Sequence, residues 1–244
     1  EEVLGRLGIP ENFWGYVADS WRNAEKNLYG RLDLSYDGRT PAKLLEYNAD
    51  TPTALYESAV MQWEWLEQAT NFGFIPDNVD QLNQIHERIV EMLPHFEIGE
   101  LAHFACCHDF EDDRGTLDYL EECAQEAGLK TCALAMGDIG IDENGRFTDL
   151  GDRIITTLVK LYPWEWIMSE DFGQYVPGSR AQFIEPPWKT ILSNKGLLPL
   201  LWGMFEGHPN LLPAFFEDDP ASVDFANSGT FVRKPMLSRQ GANI

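Results

Sequence analysis

Leu101-Ala102-His103-Phe104-Ala105-Cys106-Cys107, then a helical stretch from Thr116 to Ala127 stopped by Gly128, then Lys130-Thr131-Cys132-Ala133-Leu134-Ala135-Met136: this succession decides the fold class. Two short, nearly continuous apolar runs flank one helix, and Gly128 stands where a helix ends in a left-handed residue. Strand, helix and strand in that order require a right-handed crossover and a parallel sheet, the arrangement of a Rossmann-like α/β domain. An amphipathic helix near Asp80 to Met92 precedes it. No Gly-x-Gly-x-x-Gly follows the first strand, so no dinucleotide is indicated.

Working outward, residues 1–29 have helical spacing, with Trp14, Val17, Ala18 and Trp21 three and four apart. The period then changes to two. Arg31-Leu32-Asp33-Leu34-Ser35-Tyr36 alternates, Asp37-Gly38 supplies a turn, and Lys43-Leu44-Leu45-Glu46-Tyr47-Asn48 alternates again, which predicts a β-hairpin. Asp50-Thr51-Pro52 predicts a helix start, with Thr51 as N-cap and Pro52 in the first turn of a helix over 54–68. From Glu185 the texture becomes rich in Pro and Gly around one apolar helix, Gly196 to Met204, followed by a short expected strand from Thr230 to Pro235. The expected organisation is therefore α/β (α+β): a first region over 1–184 that includes the hairpin, and a second over 185–244. Neither Glu1 nor Ile244 reads as a natural boundary.

Composition narrows the function. Hydrophobic residues make up 44% of the 244, with 8 Trp, 14 Phe and 8 Tyr, enough apolar surface to offset the entropy of folding. Against 18 basic residues stand 40 acidic ones, a formal net charge of -22 that repels nucleic acid and anionic membrane surfaces and attracts small cations such as amines. Simple solubility is the alternative meaning of that charge. No apolar run approaches the roughly 20 residues of a spanning helix. Cys106, Cys107, Cys123 and Cys132 form no Cys-x-x-Cys pair and read as reduced core residues, and the expected location is cytoplasmic.

If the hairpin closes with Tyr36 facing Lys43, Asp33 lies opposite Glu46 and Arg31 opposite Asn48, all four on one face. Two facing carboxylates about 5 Å apart repel by roughly 3 kcal/mol at an effective dielectric near 20, so a positive group should sit between them. With an amide oxygen beside them they form an oxygen-rich set suited to Mg²⁺, the alternative being a solvated polar face. On this reading, removing either carboxylate leaves metal-free stability unchanged or higher by about 0.5 to 1 kcal/mol.

The same residues carry a resemblance. Gly30 to Gly38, then Leu44 to Thr53, then Glu185-Pro186-Pro187-Trp188-Lys189, Ser193-Asn194-Lys195-Gly196-Leu197-Leu198-Pro199, Lys234-Pro235 and the loop Arg239 to Asn243 resemble, in order, the synthetase domain of the glutathionylspermidine synthase family. The wording Asp50-Thr51-Pro52-Thr53 is closer to the stand-alone homologues without an amidase domain. The resemblance implies a pre-ATP-grasp domain followed by the start of an ATP-grasp domain, ATP and Mg²⁺ as cofactors, and a carboxylate–amine ligase that works through an acyl phosphate. It implies a glutathione-like peptide acid and a polyamine-like amine as substrates.

Residue by residue, the resemblance makes Asp33, Glu46 and Asn48 magnesium ligands and puts Arg31 beside the acyl phosphate. Lys195 and Lys234 would hold ATP phosphates, with Lys189 a weaker candidate; a surface lysine is the plain alternative for each. Ser238, Arg239, Gly241 and Asn243 belong to a loop closing over the phosphates. Thr51 and Thr53 would lie around the acid substrate, near a helix N-terminus that favours anions. Glu111 and Asp112, just past the first strand, would take the amine, or form an ordinary solvated loop. The adenine pocket is expected mostly beyond Ile244. A non-catalytic acidic scaffold that captures a polyamine or a cationic peptide is the alternative to a ligase.

Overall fold

A computed structural model of the chain describes residues 1–107, 111–227, 229 and 231–238. Its contacts divide into two compact units, one made of Glu1–Ala24, Gly30–Asp50 and the chain from Pro187 onward, the other of Glu25–Tyr29 and Thr51–Pro186. The hairpin thus belongs to the same unit as the C-terminal segment.

In the first unit the helix Trp14–Arg22 buries Val17 and Ser20. It stops well short of residue 29, because Ala24 turns left-handed at φ 51 and ends the helical path. Strand β1 (Arg31–Ser35) pairs antiparallel with β2 (Lys43–Asn48). Asp37 makes the turn by accepting the backbone N–H groups of Arg39 and Thr40, and Gly38 supplies φ 78. Arg31 faces Asn48 and Asp33 faces Glu46 as expected, but Ser35, not Tyr36, faces Lys43. A bulge between Asp33 and Leu34 takes up one extra residue of β2, Leu45, and shifts the register toward the turn. The apolar helix runs Leu197–Met204. The strand expected from Thr230 is not formed over its described residues: Phe231 and Val232 are exposed and pair with no neighbouring strand.

The second unit is built on a four-stranded sheet in the order β4-β3-β7-β8, every neighbouring pair parallel: β3 (Ala102–Cys106), β4 (Thr131–Ala135), β7 (Thr157–Leu161) and β8 (Gln182–Ile184). All five residues of β3 are buried, as a strand covered on both faces must be, which explains its unbroken apolar reading. The crossover helix is Glu111–Glu126, longer at its start than residues 116–127, with three carboxylates in its first turn where the helix dipole favours them. It packs Leu117, Leu120 and Ala124 into the core with Phe104, Val159 and Ile184. At its end Gly128 takes φ 83, and the N–H groups of Ala127, Gly128 and Leu129 turn back to the carbonyls of Cys123, Gln125 and Ala124.

Two helices of this unit start later than their sequence signals. The one expected from Pro52 begins at Leu55, after Ala54 adopts φ 62, and passes through one wider turn at Glu57–Met61 before Gln62–Asn71. Thr51 is therefore not its cap. The next runs Ile85–Met92, entered where Asn83 accepts the Ile85 N–H through its side chain. A two-residue hairpin pair, β5 (Gly140–Ile141) and β6 (Phe147–Thr148), stands apart from the main sheet. Cys106 and Cys123 are buried, while Cys107 and Cys132 are half-buried, and none of the four is in a disulfide. Among the described residues no helix is long and apolar enough to cross a membrane.

Candidate functional site

In the first unit, one face of the hairpin gathers the charged residues. Arg31 Nε donates to Asp33 Oδ1 at 2.8 Å, a second guanidinium nitrogen lies 3.3 Å from Oδ2, and Asn48 Nδ2 donates to the same Oδ2 at 3.3 Å. Glu46 is paired with Lys195, Nζ to Oε1 2.9 Å. Lys195 also donates to the Ser238 carbonyl at 2.9 Å, and its own N–H reaches the Met236 carbonyl. Lys234 Nζ lies 3.4 Å from the carbonyl of Leu45, the extra residue of the bulge. Arg31, Asp33, Glu46, Asn48, Lys195, Lys234 and Ser238, far apart in sequence, are thus brought together around β2.

The positive groups required between the carboxylates are Arg31 and Lys195. This overturns the expectation that removing a carboxylate would relieve repulsion and keep or raise metal-free stability. The Lys195 side chain is only 7% exposed, so loss of Glu46 would strand a buried ammonium rather than free a strained anion.

The short Ser193-Asn194-Lys195-Gly196 run has a local reason for each residue. Ser193 Oγ accepts the N–H groups of Ala49 and Asp50, at 3.0 and 2.6 Å, just past the end of β2. Asn194 donates to the Leu7 carbonyl and accepts the Gly196 N–H, both at 2.8 Å. At Gly196 a Cβ would stand 2.7 Å from a Leu7 methyl. These bonds hold Lys195 against the hairpin. Ser193→Ala is expected to cost about 2 kcal/mol, because two backbone N–H groups at buried Ala49 and Asp50 lose their acceptor. Urea denaturation of both proteins measures it.

Other expected site residues lie elsewhere or outside the description. Thr51 and Thr53 belong to the second unit, in the coil ahead of Leu55 rather than at a helix N-terminus. Glu111 and Asp112 are exposed in the first turn of their helix, not in a loop, and their neighbour Asp113 is buried. Lys189 is completely buried. Arg239, Gly241 and Asn243 fall outside the described residues.

Sequence reasoning missed a cavity in the second unit. It has a volume of about 510 Å³ and is lined by Phe147, Tyr162, Glu170, Asp171, Phe172 and Phe183 among others. Cys107, Met136 and Tyr162 reach it from just beyond β3, β4 and β7, at the carboxyl ends of the strands where open α/β sheets place ligands. Tyr162 donates to Glu170 there, and burial together with that carboxylate pushes the phenol above its ordinary range. No motif marks these residues because they come from separate segments of the chain.

The hairpin donors fit a hard divalent cation. Two carboxylates and the Asn48 amide oxygen make an oxygen donor set, Asp33 and Glu46 keep 39% and 22% of their side-chain surface in solvent, and the partners these carboxylates hold are the Arg31 and Lys195 cations and the Asn48 amide N–H.

The family model described as glutathionylspermidine synthase preATP-grasp matches residues 1–244. A Haemophilus influenzae protein whose name assigns it provisionally to the acid–amine ligases is 42% identical over 236 residues, covering 93% of this chain and 57% of that protein. Trypanothione synthetase of Crithidia fasciculata is 26% identical over 271 residues, covering 100% of this chain and 40% of the relative. Among solved structures, a glutathione synthetase-like effector from Globodera pallida shares the fold with a TM-score of 0.53 at 11% identity, over 78% of this chain and 50% of that one. The chain spans about half the length of these proteins.

Proposed function

Because the chain belongs to the glutathionylspermidine synthase pre-ATP-grasp family, we propose that the whole protein is an ATP-dependent ligase that joins a carboxylic acid to an amine through an acyl phosphate. The observation that carries this reading is the pairing of Lys195 with Glu46 on the hairpin face that also holds Arg31, Asp33 and Asn48. A surface lysine would have no reason to be this buried against an acidic hairpin.

In this mechanism the acid's carboxylate oxygen attacks the γ-phosphorus of ATP, the bond to the β-bridging oxygen breaks, and ADP leaves. The amine nitrogen then attacks the acyl carbon, a C–N bond forms, inorganic phosphate departs with the C–O electron pair, and the amine proton passes to solvent. Lys195 and Lys234 hold the phosphates as compact ammonium charges, and Arg31 offers its guanidinium to the transferring group. Asp33, Glu46 and Asn48 would hold Mg²⁺, which neutralises phosphate charge when bound. Ser238, Arg239, Gly241 and Asn243 would close over the phosphates, and the ATP-grasp region would begin near residue 185. Thr51 and Thr53 would line the acid's site, with Glu111 and Asp112 on the amine's. A glutathione-like peptide and a polyamine-like amine are the substrate classes the family suggests.

Full-length protein supplied with an acid and an amine substrate is expected to release ADP and phosphate in equal amounts, and little of either when one substrate is withheld. Nucleotide chromatography checks this. Release of AMP would replace the acyl phosphate with an adenylate, and binding of the amine with no nucleotide turnover would favour a non-catalytic scaffold.

A further inference from the structure

We propose that His103, Cys132 and Asp149, in the second unit, form a binding site for a borderline divalent cation of the zinc class, built from none of the hairpin residues. His103 on β3 and Cys132 on β4 are direct partners in the parallel register, so their side chains leave the same face of the sheet side by side. Asp149 follows β6. Its Oδ1 accepts the N–H groups of Gly151 and Arg153, at 2.8 and 3.0 Å, and this tight loop aims Oδ2 at His103 Nε2, 3.2 Å away. One ligand atom from each of the three residues lies within 4.8 Å of the other two. Around a tetrahedral zinc ion, bond lengths of about 2.0 to 2.3 Å put ligand atoms roughly 3.3 to 3.8 Å apart, so a small contraction closes the set.

The donor types select the ion. Sulfur, imidazole nitrogen and a single carboxylate suit zinc and its neighbours, whereas Mg²⁺ wants oxygen alone. Three protein ligands leave a fourth position for water. The His103 and Asp149 side chains are 1% and 2% exposed, so two of the three ligands are desolvated in advance, while Cys132 is half-buried. In the metal-free chain His103 Nε2 carries the proton and donates to Asp149 Oδ2, so a metal at Nε2 would take that proton's place and leave the ring's proton on Nδ1, which is buried without a hydrogen-bond partner.

A cation already stands in the cluster. Arg153 Nε lies 2.7 Å from Asp149 Oδ2, and its terminal nitrogen donates to Cys132 Sγ at 3.3 Å. Since 57% of the Arg153 side chain is exposed, the guanidinium can swing into water and yield its place. Binding would then release the Cys132 thiol proton as the metal–sulfur bond forms, so affinity rises with pH.

The test uses the 244-residue chain, stripped by a chelator, kept reduced and titrated with ZnCl₂ by calorimetry in excess MgCl₂. One equivalent should bind with Kd about 1 μM or tighter. Co²⁺ in its place should give a near-ultraviolet thiolate charge-transfer band. Cys132→Ser, at a half-buried position that should fold, is expected to weaken binding by about 100-fold and abolish the band. Arg153→Ala is expected to tighten it, by about 10-fold, because the competing cation is gone. Absence of saturable binding, binding that Cys132→Ser leaves unchanged, or weaker binding by Arg153→Ala would each overturn the proposal. The last would make the cluster an ordinary salt bridge.

Discussion

Glu46→Ala is expected to abolish ATP turnover in the full-length protein, by at least about 100-fold, and to destabilise this chain by about 2 kcal/mol. Both effects come from one contact. The substitution leaves the Lys195 side chain, only 7% exposed, with its ammonium facing the neutral Ser238 carbonyl and no carboxylate. On the proposed mechanism turnover falls because the lysine assigned to the phosphates loses its anchor and the proposed cation site loses a carboxylate. Glu46→Gln separates the two: it keeps the hydrogen bond to Lys195 and should recover most of the stability while leaving turnover low. Thermal melts and phosphate release on the three proteins decide it. A variant that melts lower yet turns over normally would leave the pair purely structural and remove Glu46 from the metal site.

Trp164→Ala should cost more, about 4 kcal/mol, and is read by chemical denaturation. Trp164 is fully buried at the start of the helix Trp164–Ser169, directly beyond β7. Its indole N–H donates to the Glu185 carbonyl at 3.1 Å, and its ring meets Phe183 edge-on at 5.1 Å. The Lys160 ammonium, on a side chain that is also buried, lies 4.6 Å from the ring centroid and donates to the Tyr162 carbonyl. Removing the ring therefore opens a large cavity and takes away one face of a buried cation's environment. Trp164→Phe keeps a ring against Phe183 and Lys160 and loses the hydrogen bond, so its cost should be roughly half.

Local signals carried the sequence reading where the chain's own chemistry is sufficient. The unbroken apolar β3, Gly128 after the crossover helix and the alternating hairpin each follow from short-range rules, and they were enough for a parallel α/β fold and for Asp33 opposite Glu46. Helix starts were less legible. Thr51-Pro52 is a sound start signal, but Ala54 at φ 62 postpones the helix to Leu55, and no local preference of alanine announces that. Over 231–235, the described part of the strand expected from Thr230, no strand forms for a related reason: alternation supplies a face but not a neighbour to pair with.

What sequence alone determined, then, is which residues could meet within a hairpin or a strand–helix–strand unit, because hydrogen bonding and side-chain alternation act over a few residues. Only tertiary structure decided that Lys195 reaches Glu46 on the hairpin, and that His103, Cys132 and Asp149 converge. Those contacts join segments whose encounter depends on how whole elements pack. The sign of a charged residue's contribution changes with such an encounter: a carboxylate that looks strained beside another carboxylate becomes a stabilising partner once a buried lysine reaches it.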